Sequence, residues 1–270
     1  MSIAILKRLL AALCLAFLVV RPISADMLLL LQGYLSDNDL WRDSGAAAAL
    51  SNDGWVDGGR MHPTPYGVVL QGLDRGARRY YTVDLPSEAP LFVQLQVLAP
   101  QVEYLRTRHP EERLFMAGHS AGGVLARLYM VTHPKVPVAA LITVASPHLG
   151  TGAAELGLMA GDSPLGFLAP LVGGSTLNRS QGLYADLVRQ QPGTMLGWLN
   201  FQPHPQAVYI SLVRNDKGLN LGDMVVAPES QDLRSVYALR GRARSIRVSG
   251  DHTLTREDGE RVAALLRGIP

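Results

Sequence analysis

Arg-Leu-Phe-Met-Ala-Gly-His-Ser-Ala-Gly-Gly, residues 113–123, is the stretch that decides the fold. Residues 113–117 are mostly apolar and predict a buried strand, and a helix is predicted from 121 to 133, before Pro134. A serine between glycines at a sharp strand-to-helix turn is the arrangement that exposes a hydroxyl at the top of a parallel sheet. The five-residue Gly-x-Ser-x-Gly pattern arises by chance in roughly one chain in six of this composition. The prediction that Ser120 is a nucleophile therefore rests on the position of the pattern between a strand and a helix.

Outward from this stretch, short apolar runs alternate with segments of helical periodicity. This alternation predicts an α/β fold, with a mostly parallel central sheet and flanking helices. The predicted strands are 27–31, 79–85, 113–117, 138–145, 207–213 and 245–249. The predicted helices are 88–107, 121–133 and 256–267.

Two stretches do not follow the alternation. Residues 35–78 are rich in Gly, Asp, Asn and Pro and are interpreted as a long loop or small insertion after the first strand. Residues 149–205 are longer than an ordinary connection and unusually apolar. This second segment is expected to be a cap that covers a pocket, and the alternative is an ordinary helical insertion packed on the sheet.

Residues 1–25 are interpreted as a signal peptide, because Lys7 and Arg8 precede an apolar run and Ala25 provides a small residue at a cleavage site. The alternative is an uncleaved membrane anchor. The expected mature chain is one α/β domain, 26–270, exported to the periplasm or beyond.

Removal of that signal changes the charge balance of the chain. Lys and Arg number 25 against 23 Asp and Glu, and residues 1–25 hold three of the basic residues and no acid. The mature balance is therefore 22 against 23, which gives no support to a nucleic-acid partner. The single cysteine, Cys14, also lies in the signal, so the mature chain has neither a disulfide nor a thiolate metal site.

A serine hydroxyl needs a base, and the base needs an orienting carboxylate. Among the seven histidines, His252 is the best base, because it follows the last predicted strand and precedes the final helix. The acid should follow the strand 207–213, where Asp223 and Asp216 both qualify. Asp223 is preferred because Gly222 and the apolar residues after it form an anchored turn.

Negative charge that develops on an attacked carbonyl oxygen needs two N–H donors in fixed positions. One donor is expected at Ala121, directly after the nucleophile. The other is expected at Tyr34, after the first strand, where Gly33 lets the backbone turn toward the site.

Four segments together resemble bacterial triacylglycerol lipases and related esterases of the α/β-hydrolase superfamily, over most of the chain from 27 to 266. They are Gln-Gly-Tyr (32–34), Gly-His-Ser-Ala-Gly-Gly (118–123), Ala-Ser-Pro-His-Leu-Gly-Thr (145–151) and Gly-Asp-Met-Val-Val (222–226) followed by Ser230. The resemblance implies a triad of Ser120, Asp223 and His252, a cap after Gly150 and a structural role for His148. These lipases usually have His-Gly before the oxyanion residue, where this chain has Gln32-Gly33. A glutamine can still hydrogen-bond to hold that loop.

The expected activity is hydrolysis of carboxylic esters, by a lipase or carboxylesterase that needs no cofactor or metal. The expected partners are a small-molecule or lipid ester substrate and a lipid interface reached through the cap. An exported acyltransferase or amidase would use the same triad, and a catalytically silent binding protein on the same fold is the third alternative.

Overall fold

The computed structural model describes residues 25–161, 178–214 and 223–269. Within these ranges, the strands are β1 (Asp26–Leu31), β2 (Val56–Thr64), β3 (Gly67–Gln71), β4 (Arg78–Val83), β5 (Arg113–His119), β6 (Ala140–Val144), β7 (Val208–Arg214) and β8 (Ala243–Val248). The α-helices are α1 (Leu40–Asp43), α2 (Ala46–Asn52), α3 (Leu91–Arg108), α4 (Ala121–Thr132), α5 (Gly152–Gly161), α6 (Gln181–Leu187), α7 (Met195–Leu199), α8 (Pro228–Gln231) and α9 (Arg256–Arg267). Two 3₁₀ turns lie at Leu233–Ser235 and Tyr237–Leu239.

The described strands form one eight-stranded sheet in the order β3-β2-β4-β1-β5-β6-β7-β8. Neighbouring strands are parallel throughout, except for the β2–β3 pair at one edge. The predicted α/β fold, a mostly parallel sheet with flanking helices, is therefore confirmed. Because the strands are parallel, the loops that follow them gather at one edge of the sheet.

The centre of the sheet is covered on both faces. Every residue of β1 and of β6 is buried, and the apolar side chains divide into one core cluster on each face. Strands buried on both faces are continuous apolar runs, as in the Leu-rich β1. The site that follows these strands therefore rests on the buried centre of the sheet.

Of the two interpretations of residues 35–78, the long loop was wrong. In place of a long loop, the segment forms α1, α2, β2 and β3, and its two strands extend the sheet beyond β4. A register shift between Asp57 and Gly59 interrupts β2, and Pro63 lies in its paired part. Gly and Pro interrupt the apolar alternation by which strands are recognised, and β2 carries both at its irregular positions.

The segment from 149 to 205 contributes α5, α6 and α7, and residues 162–177 lie outside the described ranges. Its role as a cap stays a prediction. The predicted signal, but for Ala25, also lies outside the described residues. No described helix is long and apolar enough to cross a membrane.

Candidate active site

Ser120 lies at the turn between β5, which ends at His119, and α4, which begins at Ala121. Its backbone has φ 51° and ψ −127°, a conformation that a residue with a side chain adopts only when its surroundings enforce it. Its N–H donates to the main-chain oxygen of Val144 at 2.9 Å, which ties the turn to β6. The serine is consequently held in a strained and fixed position at the edge where the strands end.

Crowding at this turn explains the flanking glycines. A Cβ at Gly118 would lie 2.5 Å from the nitrogen of Gly123, and a Cβ at Gly122 would collide with the main-chain oxygens of Leu31 and Gln32. No real Cβ tolerates such contacts, so both positions require glycine. The glycines bring α4 against the end of β1, and this places the residues after β1 beside Ser120.

His252 lies in the loop between β8 and α9, and its ring reaches both of the other predicted triad residues. Its Nε2 is 2.9 Å from Ser120 Oγ, and its Nδ1 is 2.7 Å from Asp223 Oδ2. A ring nitrogen that faces a carboxylate carries the proton, which leaves Nε2 as the acceptor for the serine hydroxyl. The arrangement can therefore remove a proton from Ser120.

The carboxylate of Asp223 is fully enclosed and saturated with donors. Its Oδ1 accepts from the N–H groups of Val225 and Val226, both at 2.8 Å, and its Oδ2 accepts from Gln231 Nε2 at 2.9 Å. None of its side-chain area is exposed. These bonds fix the carboxylate in front of the His252 ring. The alternative acid, Asp216, lies outside the described residues.

A buried ion pair holds the loop that carries His252. Arg214, at the end of β7, makes two bonds to Asp258 of α9, at 2.8 and 2.6 Å. The same guanidinium donates to the main-chain oxygens of Ser249, at 3.3 Å, and Thr253, at 2.9 Å. The loop is thus attached to β7 on both sides of the histidine.

One predicted oxyanion residue directly follows Ser120, and the other lies on the loop after β1. Ala121 is the first residue of α4, and a Cβ at Gly33, directly before Tyr34, would lie 2.9 Å from Ser120 Cβ. The loop after β1 therefore passes against the serine. In the amide orientation that satisfies both of its ends, Gln32 donates to the Val83 oxygen at 2.9 Å and accepts from the Leu85 nitrogen at 3.2 Å. Gln32 thus holds this loop to the end of β4.

The side chain of Tyr34 links the same loop to the 149–205 segment. Its hydroxyl donates to Ser180 Oγ at 3.0 Å and lies in close hydrogen-bond contact with the hydroxyl of Tyr184 on α6. The two tyrosine rings meet edge to face, with centroids 5.5 Å apart. A displacement of α6 would therefore also displace the side chain of Tyr34.

His148 is fully buried and does not contact the Ser120 hydroxyl. Its Nε2 is 3.0 Å from Thr143 Oγ1, and its N–H donates to the Ser230 oxygen at 2.8 Å. Burial, with a contribution from Arg127, holds the pKa of His148 well below its usual value. The ring is therefore neutral, in keeping with the structural role that the resemblance implies.

Three contributors to the site were missed by sequence reasoning: His119, Gln231 and Arg214. The sequence had presented His119 only as the variable residue of the turn, although its Nε2 lies 2.7 Å from the main-chain oxygen of His252. Gln231 and Arg214 act through partners distant in sequence, so no local pattern marks them. The one available signal was the position of Arg214 at the end of a buried strand, because a buried charged residue needs a partner.

Among the described residues, no group of three or more His, Cys, Asp or Glu side chains is placed to hold a metal ion.

Comparisons with known proteins agree with this architecture. Residues 95–170, which include Ser120, match a family model described as serine aminopeptidase, S33. A Bacillus licheniformis lipase in its mature form superposes with a TM-score of 0.60 at 14% identity, over 92% of this chain and 93% of that chain. A metagenomic carboxyl esterase gives a TM-score of 0.54 at 14% identity, over 91% and 76%. The chain has the α/β-hydrolase fold.

The same fold also accommodates different chemistry. A bottromycin epimerase superposes on this chain with a TM-score of 0.51 at 17% identity, over 91% of this chain and 92% of that chain. No curated protein sequence matches the chain. The family match covers residues 95–170 alone and the structural neighbours share the fold, so the reaction has to be argued from the site.

Proposed function

We propose that this α/β-hydrolase is a serine ester hydrolase, a lipase or carboxylesterase, that acts through an acyl-enzyme on Ser120. The observation that carries the proposal is the continuous series of hydrogen bonds from Asp223 through His252 to Ser120, at 2.7 and 2.9 Å. A base within about 2.6–3.2 Å of the proton that it removes satisfies the geometric requirement for general-base catalysis.

In the proposed reaction, Ser120 Oγ attacks the ester carbonyl carbon while His252 Nε2 takes the hydroxyl proton. The negative charge on the carbonyl oxygen is met by the N–H groups of Ala121 and Tyr34. Collapse of this intermediate breaks the bond to the alcohol oxygen, which leaves with the proton from His252. A water molecule then attacks the carbonyl carbon of the acyl-enzyme and gives its proton to His252. Collapse of this second intermediate breaks the bond to Ser120 Oγ, which takes the proton back from His252 as the acid leaves.

Asp223 keeps the proton of the His252 ring on Nδ1 throughout and stabilises the imidazolium that forms. The carboxylate also accepts hydrogen bonds from two main-chain N–H groups and from the Gln231 side chain, and these bonds keep it from rotating away from the ring. Loss of such an orienting carboxylate lowers kcat by about 10⁴ in the best-studied triad.

The ester substrate is favoured by the lipase and esterase neighbours and by the apolar character of residues 149–205. Export after cleavage of the signal remains part of the proposal, and the N-terminal sequence of protein recovered from the culture medium or periplasm tests it: it should begin near Asp26. An N-terminus at Met1 in a membrane fraction would support the anchor instead.

An amidase is the second candidate, because the matching family model is described as a serine aminopeptidase. The two differ in the leaving group, since an amine leaves far less readily than a phenol or alcohol. Parallel assays with p-nitrophenyl esters and p-nitroanilides of the same acyl group decide between them. An acyltransferase would instead transfer the acyl group to an added alcohol or amine faster than to water.

The decisive experiment is labelling with a fluorophosphonate together with hydrolysis of p-nitrophenyl esters of short to long acyl chains. We expect labelling of Ser120, and loss of both labelling and hydrolysis in Ser120→Ala. Ser51→Ala, a serine at α2 whose hydroxyl contacts Tyr80, is the matched control and should retain both. Absence of labelling in folded protein, or full hydrolysis by Ser120→Ala, would contradict the proposal. Activation by micelles with long chains would indicate a lipase, and preference for short chains in solution an esterase.

A further inference from the structure

The main chain of His252 is held by the residue that precedes the nucleophile. His119 Nε2 lies 2.7 Å from the His252 carbonyl oxygen, and a carbonyl only accepts, so the proton is assigned to Nε2 of His119. The two rings lie beside each other, with centroids 5.2 Å apart and planes inclined by 51°. His252 is thus fixed at three atoms, its two ring nitrogens and its main-chain oxygen.

The rest of the His252 loop is held by a different residue. Arg214 donates to the carbonyls of Ser249 and Thr253, which lie before and after the histidine. His119 supplies the donor at the position between them. Without that donor, the main-chain oxygen of His252 would lose this partner, and the base would be held by the bonds of its ring to Asp223 and Ser120.

The His119 ring meets this requirement without adding charge to the site. Burial, with a contribution from the neighbouring His252, lowers the pKa of His119 to about 4. Two other charged groups face the ring: Arg214 lowers its pKa and Asp258 raises it. A neutral ring does not oppose the imidazolium that forms on His252 during each proton transfer. Its other nitrogen, Nδ1, is buried and has no hydrogen-bond partner among the described residues.

We propose that His119 is a positioning residue whose Nε2–H fixes the main chain of His252 and so keeps the His252 ring within reach of Ser120. This inference rests on the proposed function, because it assigns a further part in the same site. A misplacement of about 1 Å in a catalytic group lowers the rate by up to about 100-fold. Loss of the bond should therefore appear in kcat rather than in substrate binding.

Two substitutions separate the hydrogen bond from the bulk of the ring. His119→Phe fills a similar volume and has no donor, whereas the amide nitrogen of His119→Gln can take the place of Nε2. His204→Phe is the matched control. His204 is also a buried histidine, its Nδ1 lies 2.8 Å from the main-chain oxygen of Gln202, and burial lowers its pKa to about 4. Both Phe variants are expected to lose some stability.

Active sites are titrated with fluorophosphonate, so that kcat refers to folded enzyme only. We expect His119→Phe to lower kcat by about tenfold with KM within about twofold, and His119→Gln to stay within about threefold of wild type. His204→Phe should keep the wild-type kcat. A kcat for His119→Phe within twofold of wild type would overturn the proposal, and so would an equal loss in the Gln variant.

A second readout does not depend on the substrate. The proton between His252 Nδ1 and Asp223 should give a low-field proton NMR signal in wild type and His119→Gln, and that signal should broaden or disappear in His119→Phe. An unchanged signal in His119→Phe would also overturn the proposal. Wild-type protein that fluorophosphonate does not label would instead refute the proposed function, and the two failures are thereby distinguished.

Discussion

Replacement of Arg214 by methionine removes the buried ion pair beneath the His252 loop. The guanidinium and the carboxylate of Asp258 have only 2% and 1% of their side-chain area exposed. Removal of one partner from such a pair costs about 3–5 kcal/mol, because the other charge is left buried. Asp258 would keep two donors from Thr255, its N–H at 2.8 Å and its hydroxyl at 3.0 Å, so we expect the lower end of that range, about 3 kcal/mol.

The free energy of unfolding is measured by urea titration of wild type and Arg214→Met. Glu260→Gln is the matched control on the same helix, since it removes the exposed pair between Arg256 and Glu260. An exposed pair at this spacing contributes about 0.3–0.5 kcal/mol. A loss below about 1 kcal/mol for Arg214→Met, or one no larger than that of the control, would refute the reasoning.

Two further predictions concern acid and crowding. Burial lowers the pKa of His119 and of His204 to about 4, whereas the unfolded chain takes up these protons near pH 6.5. The free energy of unfolding should therefore decrease as the pH falls from 6.5 to 4, by up to about 3 kcal/mol for each histidine. Urea midpoints at pH 7 and pH 4.5 measure this, and equal midpoints would contradict it. Gly122→Ala places a Cβ against the main-chain oxygen of Gln32, so it should lower the free energy of unfolding by about 1–3 kcal/mol and slow fluorophosphonate labelling. Gly268→Ala is the control and should leave both unchanged, because its Cβ meets only an ordinary contact at 3.5 Å. Equal behaviour of the two variants would show that the crowding argument fails.

The central strands could be predicted from the sequence because each buries both faces. A strand such as β1 shows its burial as an unbroken apolar run, and the amphipathic α9 shows its buried face by its period. The sequence prediction for α9, 256–267, agrees with Arg256–Arg267 in the structure. The outer strands β2 and β3 gave no such signal, because their exposed and irregular positions accept polar residues, Gly and Pro.

Chain order and loop position were sufficient to select Ser120, Asp223 and His252, and the His252 ring lies within hydrogen-bonding distance of both of the others. Their catalytic roles stay predictions. The groups that support them could not be found in this way, because each acts through a contact between distant segments. The bond from His119 to a carbonyl 133 positions later leaves no trace in any local pattern.

The hydroxyl of Tyr34 has a consequence for engineering. Its partners, Ser180 and Tyr184, belong to the predicted cap, the segment that a designer would exchange to change substrate preference if it does cover the site. A foreign segment without these two hydroxyls would leave the Tyr34 hydroxyl without these partners. The 149–205 region is therefore not an independent module, and a graft should either carry both hydroxyls or be paired with a new residue at position 34.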